Sequence, residues 1–211
     1  MLVAAAAFVL LTGVAMARYP GGTFLDRTTV GHRFFENFFC DLFHAHGLDG
    51  RPNPGAALAQ AGMLAILVGL FAHFMVVARV VRSRGLAWSV RVLGTVCALA
   101  AIAVPLTPSD RFPRVHSMFV LLAAVPGILA ASASSVGLLL GRATLAGGLG
   151  VALCLVASAD AALLLDQMRT HGPTPFALPA LQKIAAIVLL GWMAATGSAD
   201  RARLSRVDEE P

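Results

Sequence analysis

Residues 31–47 read GHRFFENFFCDLFHAHG. Placed on a helix at about 100° per residue, the stretch divides into two halves. Phe34, Phe35, Phe38, Phe39, Leu42 and Phe43 fall on one; Arg33, Glu36, Asn37, Cys40, Asp41 and His44 fall on the other. The chain on both sides of it is apolar enough for a bilayer. Such a segment is expected to be an amphipathic helix lying in the bilayer interface, its rings in lipid or on the bundle and its polar face turned inward or to water. That polar face either builds a site or is merely solvated.

Composition sets the class. Of 211 residues, 58% are hydrophobic and only 13% charged, and the mean hydropathy is +0.79. Soluble domains carry about 25% charged residues, so the chain reads as an integral membrane protein with a single domain. The net charge of +5 comes almost wholly from arginine, with Lys183 the only lysine. The arginines sit mainly in the joints between apolar runs, as topology signals do. No basic stripe with interleaved aromatics is present, which excludes a nucleic-acid partner. Cys40, Cys97 and Cys154 are widely spaced, without CxxC or Cys/His zinc spacing, and do not form a disulfide framework. Cys97 and Cys154 stand in apolar runs, where cysteine acts as a small hydrophobe; Cys40 alone falls on a polar face.

Six apolar runs follow one another, which predicts an all-α integral membrane six-helix bundle with an extracytoplasmic interfacial amphipathic helix. The first run is Leu2 to Ala17. Ala15-Met16-Ala17 has the form of a signal-peptidase site, but no Lys or Arg precedes the apolar stretch, so a retained helix is expected. The interfacial segment spans 18–55, bounded by Tyr19-Pro20-Gly21-Gly22 and Arg51-Pro52-Asn53-Pro54-Gly55, both incompatible with helix. The other five helices are expected over 56–80, 89–106, 115–140, 143–168 and 179–196. Pro126-Gly127 should kink the fourth. Small residues at 130–135, Gly137, Gly141, Gly147, Gly148 and Gly150 mark close helix packing. The transmembrane domain is thus 1–197, and 198–211 is a charged, frayed cytoplasmic tail.

Lys and Arg divide eight against eight between the two sides. Density breaks the tie: Arg79, Arg82, Arg84 and Arg91 crowd the second connection, and Arg201, Arg203 and Arg206 the tail. Both termini are therefore placed in the cytoplasm and the interfacial segment outside.

With that topology the polar residues converge. Asn37, Asp41 and His44 share a helix face; Asp110 and His116 flank the outer start of helix four; Asp160 lies on helix five, about 9 Å below Asp166. His171, Gln182 and Lys183 complete the rim. Asp160 is the sharpest of these. An ionised carboxylate facing lipid costs several kcal/mol, so it must face the interior and pair, bond backbone or stay protonated. His73 lies toward the other end of helix two and reads as structural. Asp and His together can hold a divalent metal, yet neither HxxxH nor HExxH occurs, and no GxSxG elbow marks a serine nucleophile.

RFFENFFCDL with Asn37 and Asp41, TPSDRFPRVHSMFV with Asp110 and His116, and LQKIAAIVLLGW with Gln182, Lys183 and Trp192 together resemble the prokaryotic six-pass family known as domain of unknown function nine-nine-eight. That family is similar in layout to the Frag, DRAM and Sfk membrane proteins. The likeness covers about residues 19–192 and departs at Cys40, where the family pattern has serine. It implies six helices, a polar outer site and, the family being prokaryotic, a place in a bacterial inner membrane, and no particular reaction. Ceramidase-like membrane hydrolases are a looser comparison, because their paired-histidine zinc motif is missing.

These observations predict a ligand site of Asn37, Asp41, His44, Asp110, His116, Asp160 and Lys183, taking a membrane-lipid headgroup or another polar ligand. The alternative is an outward-facing lipid hydrolase or transferase, with or without a metal. Sequence names neither a catalytic residue nor a cofactor, nor does it give the oligomeric state.

Overall fold

The computed structural model of the protein describes residues 1–172 and 174–208, with side chains through Asp200. Pro173, expected in the last loop, and 209–211 of the expected tail lie outside the described residues. The fold is all-α. Six helices follow in order: α1 (Leu2–Arg18), α2 (Ala56–Val80), α3 (Arg84–Leu106), α4 (Pro113–Leu140), α5 (Thr144–Thr170) and α6 (Ala177–Asp208). Among the described residues, five of them, α2 to α6, are long and apolar enough to cross a membrane, and α1 is shorter at 17 residues. Successive helices pack side by side, and α2 also touches α6 and α4. The outside of the bundle is apolar: Leu10, Val68, Leu99, Leu122, Leu145 and Leu155 are all exposed. On α5 only Ala146, Gly147 and Gly150 are buried. A surface of this kind is suited to hydrocarbon, not water.

The helix ends follow local chemistry. α3 starts five residues before the expected Ser89, because Ser83 caps it: its hydroxyl accepts from the Leu86 N–H at 3.4 Å. α4 starts on Pro113, whose missing N–H costs nothing in a first turn. α4 also runs unbroken through Pro126. α6 continues to Asp208 rather than stopping near Thr196, through Ala- and Arg-rich sequence of high helix propensity.

Two apolar clusters hold the bundle. One joins Phe74, Val77, Val90, Ala131, Leu138 and Trp192 across α2 to α6. The other joins Phe8, Tyr19, Phe39, Leu42, Phe43 and Met193, and so seats residues 19–55 on α1, α2 and α6. Glycine sets the closest approach. A Cβ on Gly94 of α3 would lie 2.5 Å from the Phe74 ring of α2. Gly94→Ala is therefore expected to destabilise the protein by about 1–3 kcal/mol through overpacking, read as a lowered thermal midpoint in mild detergent.

The segment expected to be one amphipathic helix is different. Residues 31–47 form turns with a single four-residue 3-10 helix, Cys40–Phe43. Side chains take the backbone groups an α-helix would need. Asn37 Oδ1 accepts from the Arg33 N–H, Asp41 Oδ2 from the Phe38 N–H, and Gln182 Oε1 from the Phe39 N–H, at 2.9, 2.8 and 2.7 Å. Lys183 Nζ donates to the Asn37 carbonyl at 2.6 Å. Asn and Asp compete with helix in this way, and here tertiary partners complete the competition. The outcome is a compact cap over one end of the bundle. Isolated bridges pair Gly21 with Val30 and His46 with Pro52. Gly22 has φ +84°, and a Cβ there would meet the Asp49 nitrogen at 2.4 Å. Asn53 fastens the cap's end, donating to the carbonyls of Leu42 and His44 and accepting from the Gly55 N–H ahead of α2.

Candidate functional site

The cap covers the end of the bundle where α1, α3 and α5 finish and α2, α4 and α6 begin. Between it and α4, α5 and α6 is a partly open cavity of about 400 Å³. Phe24, Phe38 and Leu48 of the cap and Val120, Leu164 and Leu178 of the helices make its walls apolar. His44, Asp110, His116 and Asp160 also line it. The cap, the α3–α4 connection, α4 and α5 thus each contribute one predicted polar residue to a single space.

The other three predicted residues are elsewhere. Asn37 and Lys183 are fully buried, and Asp41 is 1% exposed. They hold the cap in place and do not line the cavity. Asp41 Oδ2 accepts from Asn37 Nδ2 at 3.2 Å as well as from Phe38. Asn37 Nδ2 also donates to the Gly22 carbonyl at 2.8 Å. The Lys183 ammonium stands 4.1 Å from the centre of the Phe39 ring. His171, expected on the rim, is an exposed left-handed residue ending α5. His73 is fully buried, its ring 4.3 Å from that of Trp192, and remote from the cavity.

Burial dominates the electrostatics of the cap. It pushes the Asp41 carboxyl up to about 6, against the opposing pull of the Asn37 amide, the Phe38 N–H and the Lys183 charge. It lowers the His44 imidazole, although the Asp110 charge opposes this, and His116 adds to the lowering. His44 Nε2 is 2.8 Å from the Ser109 hydroxyl.

Cys40 and Gln182 are the cavity residues that sequence reading undervalued. Cys40 Sγ is 3.1 Å from His116 Nε2, and His116 Nδ1 is 2.8 Å from the Thr107 carbonyl. Burial pushes the Cys40 thiol up to about 12; Asp41 and Asp160 add to the effect, while Lys183 and Gln182 oppose it. The signal in the sequence was that Cys40 alone among the cysteines shared the polar face of 31–47. Ser109 stands in the α3–α4 connection, directly before Asp110. Among the described residues, no group of three or more His, Cys, Asp or Glu side chains is arranged to hold a metal ion. The site therefore offers hydrogen bonding, charge and one thiol–imidazole pair.

Comparison with known proteins found no match: the chain fits no protein-family profile, and neither a curated protein nor a solved structure is significantly similar to it.

Proposed function

We propose that this multi-pass helical protein binds a membrane lipid by its polar headgroup in the cavity beneath the cap. The observation that carries the reading is the lining of that cavity. Among the described residues, its polar lining includes two carboxyl groups, Asp110 and Asp160, and neither Lys nor Arg. A headgroup bearing an amine or hydroxyls suits this lining, whereas a bare phosphate does not. The apolar walls accommodate the adjoining chain. The opening between cap and helices lies at the polar end of an apolar bundle, at the level where headgroups reside.

The same reading places the protein in a bacterial inner membrane with both termini cytoplasmic and the cap outside. Arg79, Arg82, Arg84 and Arg91 at the end of the bundle opposite the cap support that orientation. Kinship with the six-pass family of unknown function is part of the proposal, since that likeness implies a polar outer site.

Native mass spectrometry of the protein in mild detergent, titrated with phosphatidylethanolamine and with phosphatidylglycerol, tests the binding. Preferential retention of the aminolipid is expected. Asp160→Asn should keep the fold and weaken that binding roughly tenfold or more, since a hydrogen bond to a charged group contributes about 1.5–3 kcal/mol. Equal binding by the variant, or retention of neither lipid, would overturn the assignment.

A further inference from the structure

Three side chains of the cavity form a second pattern, which rests on the binding reading above. The proton positions at Cys40 and His116 follow from their partners. The Thr107 carbonyl only accepts, so His116 Nδ1 carries the ring proton, 2.8 Å away. Nε2 then has a free lone pair, and the Cys40 S–H donates to it at 3.1 Å. Gln182 is oriented in the same manner. Its Oε1 accepts from the Phe39 N–H at 2.7 Å, which leaves its NH₂ end as the donor to Cys40. Cys40, His116 and Gln182 all line the cavity. A nucleophile, a base fixed by a second hydrogen bond, and an amide donor beside the nucleophile are the parts that acyl transfer requires. Cys154 has no such setting: its sulfur faces the Ser132 hydroxyl and the Ile128 carbonyl.

We infer that Cys40 is a nucleophile that takes an acyl group from a long-chain ester held in the cavity, with His116 as general base and Gln182 donating to the ester carbonyl oxygen. Cys40 rests as a thiol, because burial and two nearby carboxyl groups disfavour the thiolate. Its proton therefore moves during attack. Sγ bonds to the carbonyl carbon while Nε2 takes the thiol proton. The carbon–oxygen bond to the alcohol breaks, and His116 returns the proton to the departing oxygen. The products are a Cys40 thioester and a free alcohol, with no change of oxidation state. In the second half, water gives a proton to Nε2 and attacks the thioester. The carboxylic acid leaves, and the proton on Nε2 returns to the sulfur.

The test uses the full chain in mild detergent, incubated with 4-nitrophenyl octanoate and read by intact-mass and peptide mass spectrometry. One acyl group is expected, on Cys40, released by hydroxylamine. Cys40→Ala should lose the adduct while keeping the helical circular dichroism of the wild type. His116→Gln should slow acylation by about 10²–10⁴-fold, as loss of a general base does. Gln182→Glu keeps the acceptor for Phe39 and removes the donor, and should slow it by about 10²–10³-fold. Should His116→Gln fail to fold, Gln182→Glu and the site of labelling decide. Wild-type protein that binds the lipid yet neither forms an adduct nor releases 4-nitrophenol from the ester overturns the acyl-transfer inference and leaves the binding reading standing. Equal labelling of Cys97 or Cys154, or variants that acylate at the wild-type rate, overturns it as well. Loss of both lipid binding and labelling in folded wild-type protein overturns the two together.

Discussion

Replacing Lys183 by methionine should release the cap from the bundle while the six helices persist. The ammonium is fully buried and bonds the Asn37 carbonyl at 2.6 Å. Its charge also moderates that of Asp41. Methionine matches the length of the aliphatic stem and fills the space, so packing is largely preserved. What is lost is electrostatic. The Asn37 carbonyl keeps no donor in a buried place, and the Asp41 carboxyl loses its nearby cation. Removing one partner from a buried charged arrangement costs about 3–5 kcal/mol. The expected result is a lower thermal midpoint, with protease cleavage appearing within residues 19–55 and helical circular dichroism unchanged. Combining Lys183→Met with Asp41→Leu should recover part of the loss, because no buried carboxyl is then left uncompensated. A cap as resistant to protease as in the wild type would show that Lys183 is a spectator.

Asp41 is the second large effect, and its sign is opposite to that of an ordinary paired carboxylate. Its folded value is about 6, against about 3.9 for an unfolded Asp. Between those values the folded chain holds a proton that the unfolded chain has released. Its contribution to stability therefore rises as pH falls from about 6 to about 4, and declines on the way back up, by about 3 kcal/mol in total. Above pH 6 this contribution is constant. Asp41→Asn keeps an oxygen to accept from Phe38 and Asn37, so it should remove this contribution between pH 4 and 6 and raise stability at pH 7. Denaturation midpoints of both proteins at pH 4, 5, 6 and 7 measure this. Parallel curves, or a stability difference between the two proteins that widens as pH falls through this window, would sink the argument.

The origin of these two effects separates what is local in this chain from what is not. Five helices able to cross a membrane follow from uninterrupted apolar runs, because hydrocarbon demands that each segment satisfy its own backbone. Pro and Gly mark where those runs stop. Asp160, His116, Asp110 and His44 were recognisable as one group because polar side chains are too costly to leave facing lipid, and an up-and-down bundle brings alternate helix ends together. The segment 31–47 was not legible in the same way. Its helical periodicity is real, but Asn37 and Asp41 supply local hydrogen bonds that compete with helix, and Gln182 and Lys183 decide the competition from 143 and 146 residues away. No window of sequence contains both sides of that contest. Nor could sequence divide the predicted site into its two parts, Asn37, Asp41 and Lys183 buried to hold the cap, and the rest open to the cavity. Cys40 meets His116 across 76 residues, and the direction of its proton depends on one carbonyl, at Thr107. The apolar pattern determined which segments enter the membrane; only the tertiary structure decided which polar groups meet, because a hydrogen bond depends on distance and direction that composition does not carry.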